Sequence, residues 1–348
     1  MNRVRCCVWE LTLACNLRCH HCGATAGEAR SDELTTAEAL RVASDLAALP
    51  CQEVTLMGGE LFMRADWLAI AKRLREAGVG LVIFTNGWLL DDERIAQIQA
   101  LEPRTVGLSL DGASASVHDG QRGVDGSFAR VWQALKALQA AHLPTSVITT
   151  LTRHNLYELP ALGRQLLGQG VQWQVQIATC NGARMERSNQ LTLLEFYWAA
   201  CWLDLIRRKY DWTVLPVAGA HDLGHHSLRL GSVLPPGCTW AGCTAGLDTL
   251  GIQSNGDVKG CLSLSDDFVE GNVRDRPLGD LWHDPNSFPL NRHFVPDWLD
   301  GFCATCSHGP TCRGGCSDLA ASATGSPYDN PYCLYRLENI FGTKTPSL

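Results

Sequence analysis

The sequence contains 348 residues, a length that predicts two domains and allows a large apolar core. Its 29 Lys and Arg against 36 Asp and Glu give a formal net charge of −7. This acidic balance argues against nucleic acid and anionic membrane surfaces as partners. No apolar stretch has the length or the flanking residues of a transmembrane helix or a signal peptide, so we expect a cytoplasmic protein.

β-rich segments alternate with helical segments in the first half of the chain. The predicted strands are residues 7–12, 53–57, 80–85, 105–110, 145–150 and 171–177. The predicted helices are residues 35–48, 66–77, 91–100, 128–141 and 155–167. Six sequential βα units predict an α/β protein with a parallel sheet, in the form of a partial (β/α)6 barrel. A further helix at 193–209 follows, and we place a domain boundary near Val214, between residues 1–214 and 215–348.

The chain has 16 cysteines, far more than packing requires in a protein of this size. Without a secretion signal, this number favours metal or cluster ligation over disulfides. Eleven of them form an N-terminal group and a C-terminal group. The five others lie in apolar or strand-like surroundings and are expected to be small buried hydrophobic residues: Cys6, Cys7, Cys51, Cys180 and Cys201.

The N-terminal group has the spacing Cys15-x3-Cys19-x2-Cys22 and follows the first predicted strand. Active sites of barrel enzymes lie at this end of the strands. Three thiolates could bind three irons of a [4Fe-4S] cluster and leave the fourth iron open. On spacing alone, a zinc site with His20 or His21 as fourth ligand is the alternative.

Two further strands end with polar residues at the same predicted edge of the sheet. The second strand leads into Gly58-Gly59-Glu60, and the third ends at Thr85-Asn86. Glycines at this position would let a ligand approach the backbone. The Glu60 carboxylate could bind an ammonium group.

The three-cysteine motif followed by Gly58-Gly59-Glu60 resembles the radical S-adenosylmethionine (radical SAM) superfamily. The resemblance implies that an open iron binds the amino and carboxylate groups of SAM. Reduction then yields a 5′-deoxyadenosyl radical that abstracts hydrogen from the substrate. It also implies that Gly59 and Glu60 bind the SAM amino group, and that Ser109 and Arg122 bind its carboxylate. The full set of implied SAM-binding residues is His21, Gly58, Gly59, Glu60, Thr85, Asn86, Ser109, Asp111 and Arg122.

The C-terminal cysteines resemble the SPASM domain, in which two auxiliary [4Fe-4S] clusters are bound. The resemblance implies that the first cluster is bound by Cys238, Cys243, Cys261 and Cys316. It implies that the second is bound by Cys303, Cys306, Cys312 and Cys333. With the N-terminal group this makes three [4Fe-4S] clusters, and two structural zinc sites are the alternative for the C-terminal group. We expect cofactors, rather than a large apolar core, to hold this part of the chain together.

Many SPASM proteins modify peptides, which makes maturation of a ribosomally made peptide, by cross-linking, epimerisation or oxidation, our leading hypothesis. Cys180, at the end of the sixth predicted strand, could return a hydrogen atom to a peptide radical. We expect a reductase or flavodoxin-type electron donor. No domain precedes the first strand, so we expect a separate leader-peptide recognition protein, or recognition by the barrel and residues 216–237.

Two alternatives remain open on the sequence. One is side-chain modification of a tetrapyrrole, whose carboxylates would require basic residues such as Arg153 and Arg184. The other is a zinc-stabilised binding protein without catalysis. Iron content would distinguish the second alternative from both enzyme hypotheses.

Overall fold

A computed structural model describes residues 3–182, 184–223 and 226–342. The strands are β1 (Cys6–Glu10), β2 (Glu53–Met57), β3 (Gly80–Thr85), β4 (Thr105–Ser109), β5 (Thr145–Leu151), β6 (Gln172–Ile177), β7 (Val217–Gly219), β8 (Thr249–Ile252), β9 (Asp257–Lys259) and β10 (Val269–Asn272). The first seven helices are α1 (Thr36–Ala48), α2 (Trp67–Glu76), α3 (Asp92–Leu101), α4 (Ala115–Arg122), α5 (Ser127–Ala140), α6 (Leu159–Leu166) and α7 (Leu193–Lys209). The later helices are α8 (Leu278–His283), α9 (Pro289–Arg292), α10 (Gly301–Thr305), α11 (Gly309–Cys312), α12 (Ser317–Thr324) and α13 (Leu334–Phe341).

One sheet runs through the molecule in the order β10-β9-β8-β1-β2-β3-β4-β5-β6-β7. Strands β1 to β7 are parallel and follow the sequence order. The predicted α/β class and the order of its six strands are therefore confirmed. Parallel order brings the carboxyl ends of these strands to one edge, which is where the N-terminal cysteines emerge from β1.

The local sequence explains why these elements form. Thr35 and Glu38 make a capping box at the start of α1, since each side chain accepts the other residue's backbone N–H. The same device begins α7 at Thr192 and Glu195. β3 is buried along almost its whole length, as a parallel strand covered by helices on both faces must be.

Sequence analysis missed α4, which contains Arg122. Its segment is only eight residues long and the side chains that it buries are polar (His118, Gln121 and Arg122), so apolar periodicity gave no signal. The helix ends at Gly123, whose φ of 69° is the left-handed conformation that favours glycine. This helix packs beside the N-terminal cysteines and is therefore part of the candidate site.

The sheet continues into the C-terminal part of the chain on both sides. β7 pairs with β6, and β8 pairs with β1 so that Leu250 lies opposite Cys7. Leu250, Val258 and Trp282 belong to the same apolar core as the barrel residues, so the expectation of a C-terminal part without a large apolar core is wrong here. The strands β8 to β10 are too short to give a periodic signal. The domain boundary near residue 214 stays a prediction. Strands from both sides of that boundary belong to one sheet.

All sixteen cysteines are free thiols. Of the five cysteines expected to be buried, Cys7 and Cys51 lie in the apolar core, with 0% and 6% of their surface exposed. The other three, Cys6, Cys180 and Cys201, are only partly buried, so the expectation is wrong for them. No helix in the described ranges combines the length and apolar character needed to cross a membrane.

Candidate active site

The N-terminal cysteines lie in the segment after β1, and a hydrogen-bond donor faces each sulfur. The N–H of Leu17 donates to Cys15 Sγ at 3.4 Å, and the N–H of Ala26 donates to Cys22 Sγ at 3.3 Å. Arg122 Nη1 donates to Cys19 Sγ at 3.8 Å. Donors of this kind stabilise thiolates and tune bound clusters. The donor set therefore fits three thiolate ligands.

In the protein without a bound cluster, burial opposes ionisation of the Cys15 and Cys19 thiols. Burial, followed by the charge of Cys19, raises the pKa of Cys15 to about 11, although the N–H of Leu17 lowers it. Burial also raises the pKa of Cys19, against the charge of Arg122. Metal or cluster binding at this group must therefore release protons.

Helix α4 fixes the cysteine segment through its backbone. The N–H of Arg18 donates to the carbonyl of Arg122 at 3.1 Å, and the N–H of His20 donates to that of Gln121 at 3.0 Å. A Cβ on Gly123 would lie 2.5 Å from the carbonyl oxygen of Arg18, so only glycine allows this approach. The helix missed in the sequence is thus what places Arg122 against the cysteines.

A buried charge network joins three of the predicted site residues. Asp111 is fully buried, lies 2.6 Å from Arg122 Nη2 and 3.2 Å from His21 Nε2. Burial would raise the pKa of Asp111, but the charges of Arg122 and His21 outweigh it and hold that pKa well below its usual range. His21 packs as expected, with 8% of its surface exposed. Arg122 thus lies between Asp111 and Cys19.

Gly58 and Gly59 pack on the cysteine segment. A Cβ on Gly58 would lie 2.3 Å from the Thr12 carbonyl oxygen, and one on Gly59 would lie 2.4 Å from that of Ala14. Backbone hydrogen bonds of 2.7 and 2.8 Å join Gly59 and Glu60 to the same two carbonyls. The sequence suggested that these glycines admit a ligand, whereas here they admit the chain's own backbone.

Glu60 joins the ends of β2 and β3. Only 1% of its surface is exposed, and its carboxylate accepts from Thr85 Oγ1 at 2.8 Å and from the N–H of Asn86 at 2.9 Å. Burial raises the pKa of Glu60 despite these donors. Asn86 Nδ2 in turn donates to Asn16 Oδ1 in the cysteine segment at 2.9 Å. Ser109, the last residue of β4, is half-buried.

The second C-terminal group, defined as Cys303, Cys306, Cys312 and Cys333, lines one cavity. Trp240 Nε1 donates to Cys312 Sγ at 3.1 Å. Burial, with the charges of Cys312 and Cys303, raises the pKa of Cys333 to about 12. The structure therefore brings together the four cysteines that the resemblance grouped. It adds a stacked pair, His226 and His308, whose ring centroids are 4.1 Å apart.

The first C-terminal group is brought together only in part. Burial, then the charges of Cys243 and Asp318, raises the pKa of Cys261 to about 11. Cys316 is subject to the same three effects, so these three cysteines form one group. Cys238 is exposed, unlike the other three.

Two carboxylates that the sequence analysis did not select, one buried (Asp318) and one half-buried (Asp222), lie near this group. Asp222, in the turn after β7, accepts the N–H of Ile177 at 2.6 Å. Asp318, in the first turn of α12, accepts a hydrogen bond from Asn181. Burial raises the pKa of each to about 7. The position of Asp318 two residues after Cys316 was an available signal, whereas Asp222 had none.

Cys180 follows β6 in the sequence and contacts α12 in space. Its N–H donates to Ser322 Oγ at 3.0 Å, and its thiol donates to Gln190 Oε1 at 3.4 Å. Burial raises its pKa, so the thiol keeps its proton. Two residues later, a Cβ on Gly182 would lie 2.3 Å from the Cys22 carbonyl oxygen. The segment 180–182 therefore contacts the N-terminal cysteines.

Within residues 3–182, 184–223 and 226–342, no three Cys, His, Asp or Glu side chains converge closely enough to bind one metal ion. A zinc site needs four ligands around one centre, whereas the cysteines of a cubane bind different irons and lie farther apart.

Comparison with known proteins decides the family. Residues 9–164 match the model of the radical SAM superfamily, and residues 243–307 match the SPASM iron-sulfur cluster-binding domain. The chain is 30% identical over 348 residues to the AdoMet-dependent heme synthase of Methanosarcina barkeri, covering 96% of this chain and 97% of that protein. The chain belongs to the radical SAM superfamily. This radical SAM protein is also 32% identical over 339 residues to mycofactocin maturase MftC of Mycolicibacterium smegmatis, covering 94% of this chain and 81% of MftC.

Solved structures show the same fold. Streptococcus suis SuiB bound to the precursor peptide SuiA superposes with a TM-score of 0.76 at 18% identity, covering 95% of this chain and 75% of SuiB. The structure of anSMEcpe with bound AdoMet gives a TM-score of 0.71 at 16% identity, covering 94% of this chain and 93% of that one.

The protein is therefore a radical SAM enzyme whose cofactors are SAM and iron-sulfur clusters. SAM, when bound at a reduced cluster, supplies a radical that abstracts hydrogen. Arg122 places a buried positive charge beside Cys19, where the charge of a bound cluster would lie. Glu60 and the two glycines before it hold the strand ends and the cysteine segment in fixed relative positions.

Proposed function

We propose that this radical SAM enzyme matures a ribosomally synthesised peptide by abstracting hydrogen from it. The observation that carries the proposal is the group of three thiols, each facing an N–H donor, at the carboxyl edge of the barrel. The substrate class is supported by the 32% identity to MftC, which covers 94% of this chain. Cross-linking, epimerisation and oxidation are the reaction types included.

The proposal assigns three [4Fe-4S] clusters. Cys15, Cys19 and Cys22 bind the cluster that cleaves SAM, with His21, Asp111 and Arg122 around it. Gly58, Gly59, Glu60, Thr85, Asn86 and Ser109 complete the proposed SAM site. Cys243, Cys261 and Cys316 bind the first auxiliary cluster, for which Cys238 was the expected fourth ligand. Cys303, Cys306, Cys312 and Cys333 bind the second.

Cys180 is the proposed hydrogen donor in an epimerisation. Its S–H would transfer a hydrogen atom to a peptide carbon radical, leaving a sulfur radical that an electron and a proton restore. The protonated thiol and the contact of Gly182 with Cys22 support this role.

Proposed partners are a reductase or flavodoxin-type electron donor and a separate leader-peptide recognition protein. Residues 216–237 are the alternative recognition segment, and positions 224 and 225 of it lie outside the described residues.

Tetrapyrrole side-chain modification is the second candidate, because the chain is 30% identical to a heme synthase. A substrate with several carboxylates needs available cations. Arg153, however, is paired with Glu195 at 3.1 Å, and Arg184 Nη2 contacts the Thr25 carbonyl at 3.5 Å. The pairing of Arg153 weighs against a tetrapyrrole, whereas Arg184 keeps a nitrogen, Nη1, without a hydrogen-bond partner.

Anaerobic reconstitution tests the proposal. We expect about twelve irons per chain in the wild type and about eight in the Cys15→Ala/Cys19→Ala/Cys22→Ala variant. With dithionite, only the wild type should form 5′-deoxyadenosine. A peptide encoded beside the gene should stimulate this reaction and change in mass. Stimulation by a carboxylated porphyrin instead would favour the second candidate, and zinc in place of iron would contradict both.

A further inference from the structure

The first auxiliary group contains a carboxylate oxygen without a partner. We propose that Asp222, and not Cys238, is the fourth protein ligand of the cluster at Cys243, Cys261 and Cys316. The inference rests on the proposed function only in requiring an iron-sulfur cluster at these three cysteines.

Asp222 is held rigidly at the sheet edge. Its Oδ2 accepts the N–H of Ile177, the last residue of β6, at 2.6 Å. The N–H of Ala220 donates to the Val175 carbonyl at 2.8 Å, which ties the turn to the same strand. Its second oxygen, Oδ1, is buried and accepts no hydrogen bond. Buried carboxylate oxygens are rarely left without a donor or a metal, because their desolvation is otherwise uncompensated.

Hydrogen bonds to one short segment place Asp222 near the cysteine group. Ile177 donates to Asp222, and Asn181, four residues later, donates to Asp318, which is two residues after Cys316. Asp222 is close enough to both Cys316 and Asp318 for its charge to act on them. Asp318 is not the better candidate, since it already accepts hydrogen bonds from Asn181 and Thr179 and has Lys259 as a nearby positive charge. Of the two carboxylates, Asp222 has the oxygen available for an iron.

Cys238 does not share this environment. It is exposed, whereas Cys243, Cys261 and Cys316 are each partly covered. Its own N–H donates to the Pro235 carbonyl in a turn five residues before Cys243. A carboxylate carries the same single negative charge as a thiolate, so replacing one by the other leaves the charge of the cluster unchanged.

The test identifies the residue that binds the fourth iron of the first auxiliary cluster. In the full chain carrying Cys15→Ala, Cys19→Ala and Cys22→Ala, only the auxiliary clusters form. Each variant is reconstituted, reduced and mixed with ¹³C-cyanide, and pulsed EPR detects cyanide carbon bound to iron. The variants are Asp222→Asn, Cys238→Ala and Asp297→Asn, the last being an exposed carboxylate that serves as control.

We expect Asp222→Asn to bind about one cyanide per chain at an open iron, while the parent, Cys238→Ala and Asp297→Asn bind none. Binding to Cys238→Ala, or an intact cluster in Asp222→Asn that binds none, overturns the inference and leaves the proposed function standing. A parent without iron at these cysteines overturns both.

A second variant covers the case in which Asp222→Asn fails to assemble. Asp222→Cys replaces an oxygen ligand by a thiolate, so the EPR g values of one auxiliary cluster should shift and its midpoint potential should fall. Unchanged g values and potential in this variant would show that residue 222 is not a ligand.

Discussion

The N-terminal cysteine segment and the C-terminal cysteine cavity are built in different ways. Residues 15–22 are held by the barrel: α4 bonds to their backbone, Gly58 and Gly59 pack against residues 12–14 just before them, and a buried Arg122–Asp111 pair lies beside Cys19. The C-terminal cavity is lined by residues of α10, α11 and α13, helices of four to eight residues, and of the segments between them. We therefore expect the fold to shape the first site without a cofactor, and the second site to depend on its cofactor for stability.

The largest expected effect follows from this contrast. In reconstituted protein, Cys303→Ala/Cys333→Ala should lower the free energy of unfolding of the cavity region by several kcal/mol, because cofactor binding is part of its folding energy. Limited proteolysis should then cleave within residues 289–342. The Cys15→Ala/Cys19→Ala/Cys22→Ala variant should resist the protease like the wild type. Equal cleavage of the two variants would remove the distinction.

The Arg122–Asp111 pair tests whether the fold alone stabilises the N-terminal site. Both side chains are buried, so Arg122→Met leaves the Asp111 carboxylate with His21 as its remaining partner and should lower the free energy of unfolding by up to about 3–5 kcal/mol. The partly exposed pair Arg94–Asp91 provides a control, and Arg94→Met should cost about 1 kcal/mol or less. Urea unfolding of the apo proteins measures both. Similar losses in the two variants would show that burial of the first pair has no special weight.

Some of this contrast was visible in the sequence. β2 and β3 have the predicted bounds because their apolar runs end at glycine or polar residues, and the cysteine spacings identified both groups. The spacing could not show that α4 exists, since its residues are mostly polar. Asp222 was also beyond prediction, because its role depends on a turn that packs on β6. Side chains brought together by tertiary packing leave no local pattern.

The glycine motif shows the same limit in another form. The motif Gly58-Gly59-Glu60 could be recognised in the sequence, but the close backbone contacts that require its glycines could not be predicted. Its neighbours are the carbonyls of Thr12 and Ala14, more than forty residues earlier in the chain.

His118 gives the network a pH dependence. It is 1% exposed, and its Nδ1 accepts the N–H of Asp111 at 3.1 Å. Burial, then the charge of Arg122, lowers its pKa to about 4. A histidine with a lowered folded-state pKa contributes stability above its unfolded value of about 6.5, and this is lost as the pH falls towards 4, by at most about 3 kcal/mol.

Urea unfolding at neutral pH and near pH 4 measures this loss. His118→Asn keeps an acceptor for Asp111 without the titration, so its unfolding free energy should change less between the two pH values. An identical fall in the wild type and the variant would assign the effect to other groups.

The smallest expected effect isolates the contact between β2 and the cysteine segment. A Cβ at Gly59 would lie 2.4 Å from the Ala14 carbonyl oxygen, so Gly59→Ala should force the backbones apart and cost about 1–3 kcal/mol. Gly23→Ala is the matched control, because no atom lies within 4 Å of the added Cβ although Gly23 is next to Cys22. Its cost should stay within about 0.5 kcal/mol. If urea unfolding showed equal costs, the cysteine segment would not depend on close packing against the barrel, and its order would have to come from the cluster, as in the C-terminal cavity.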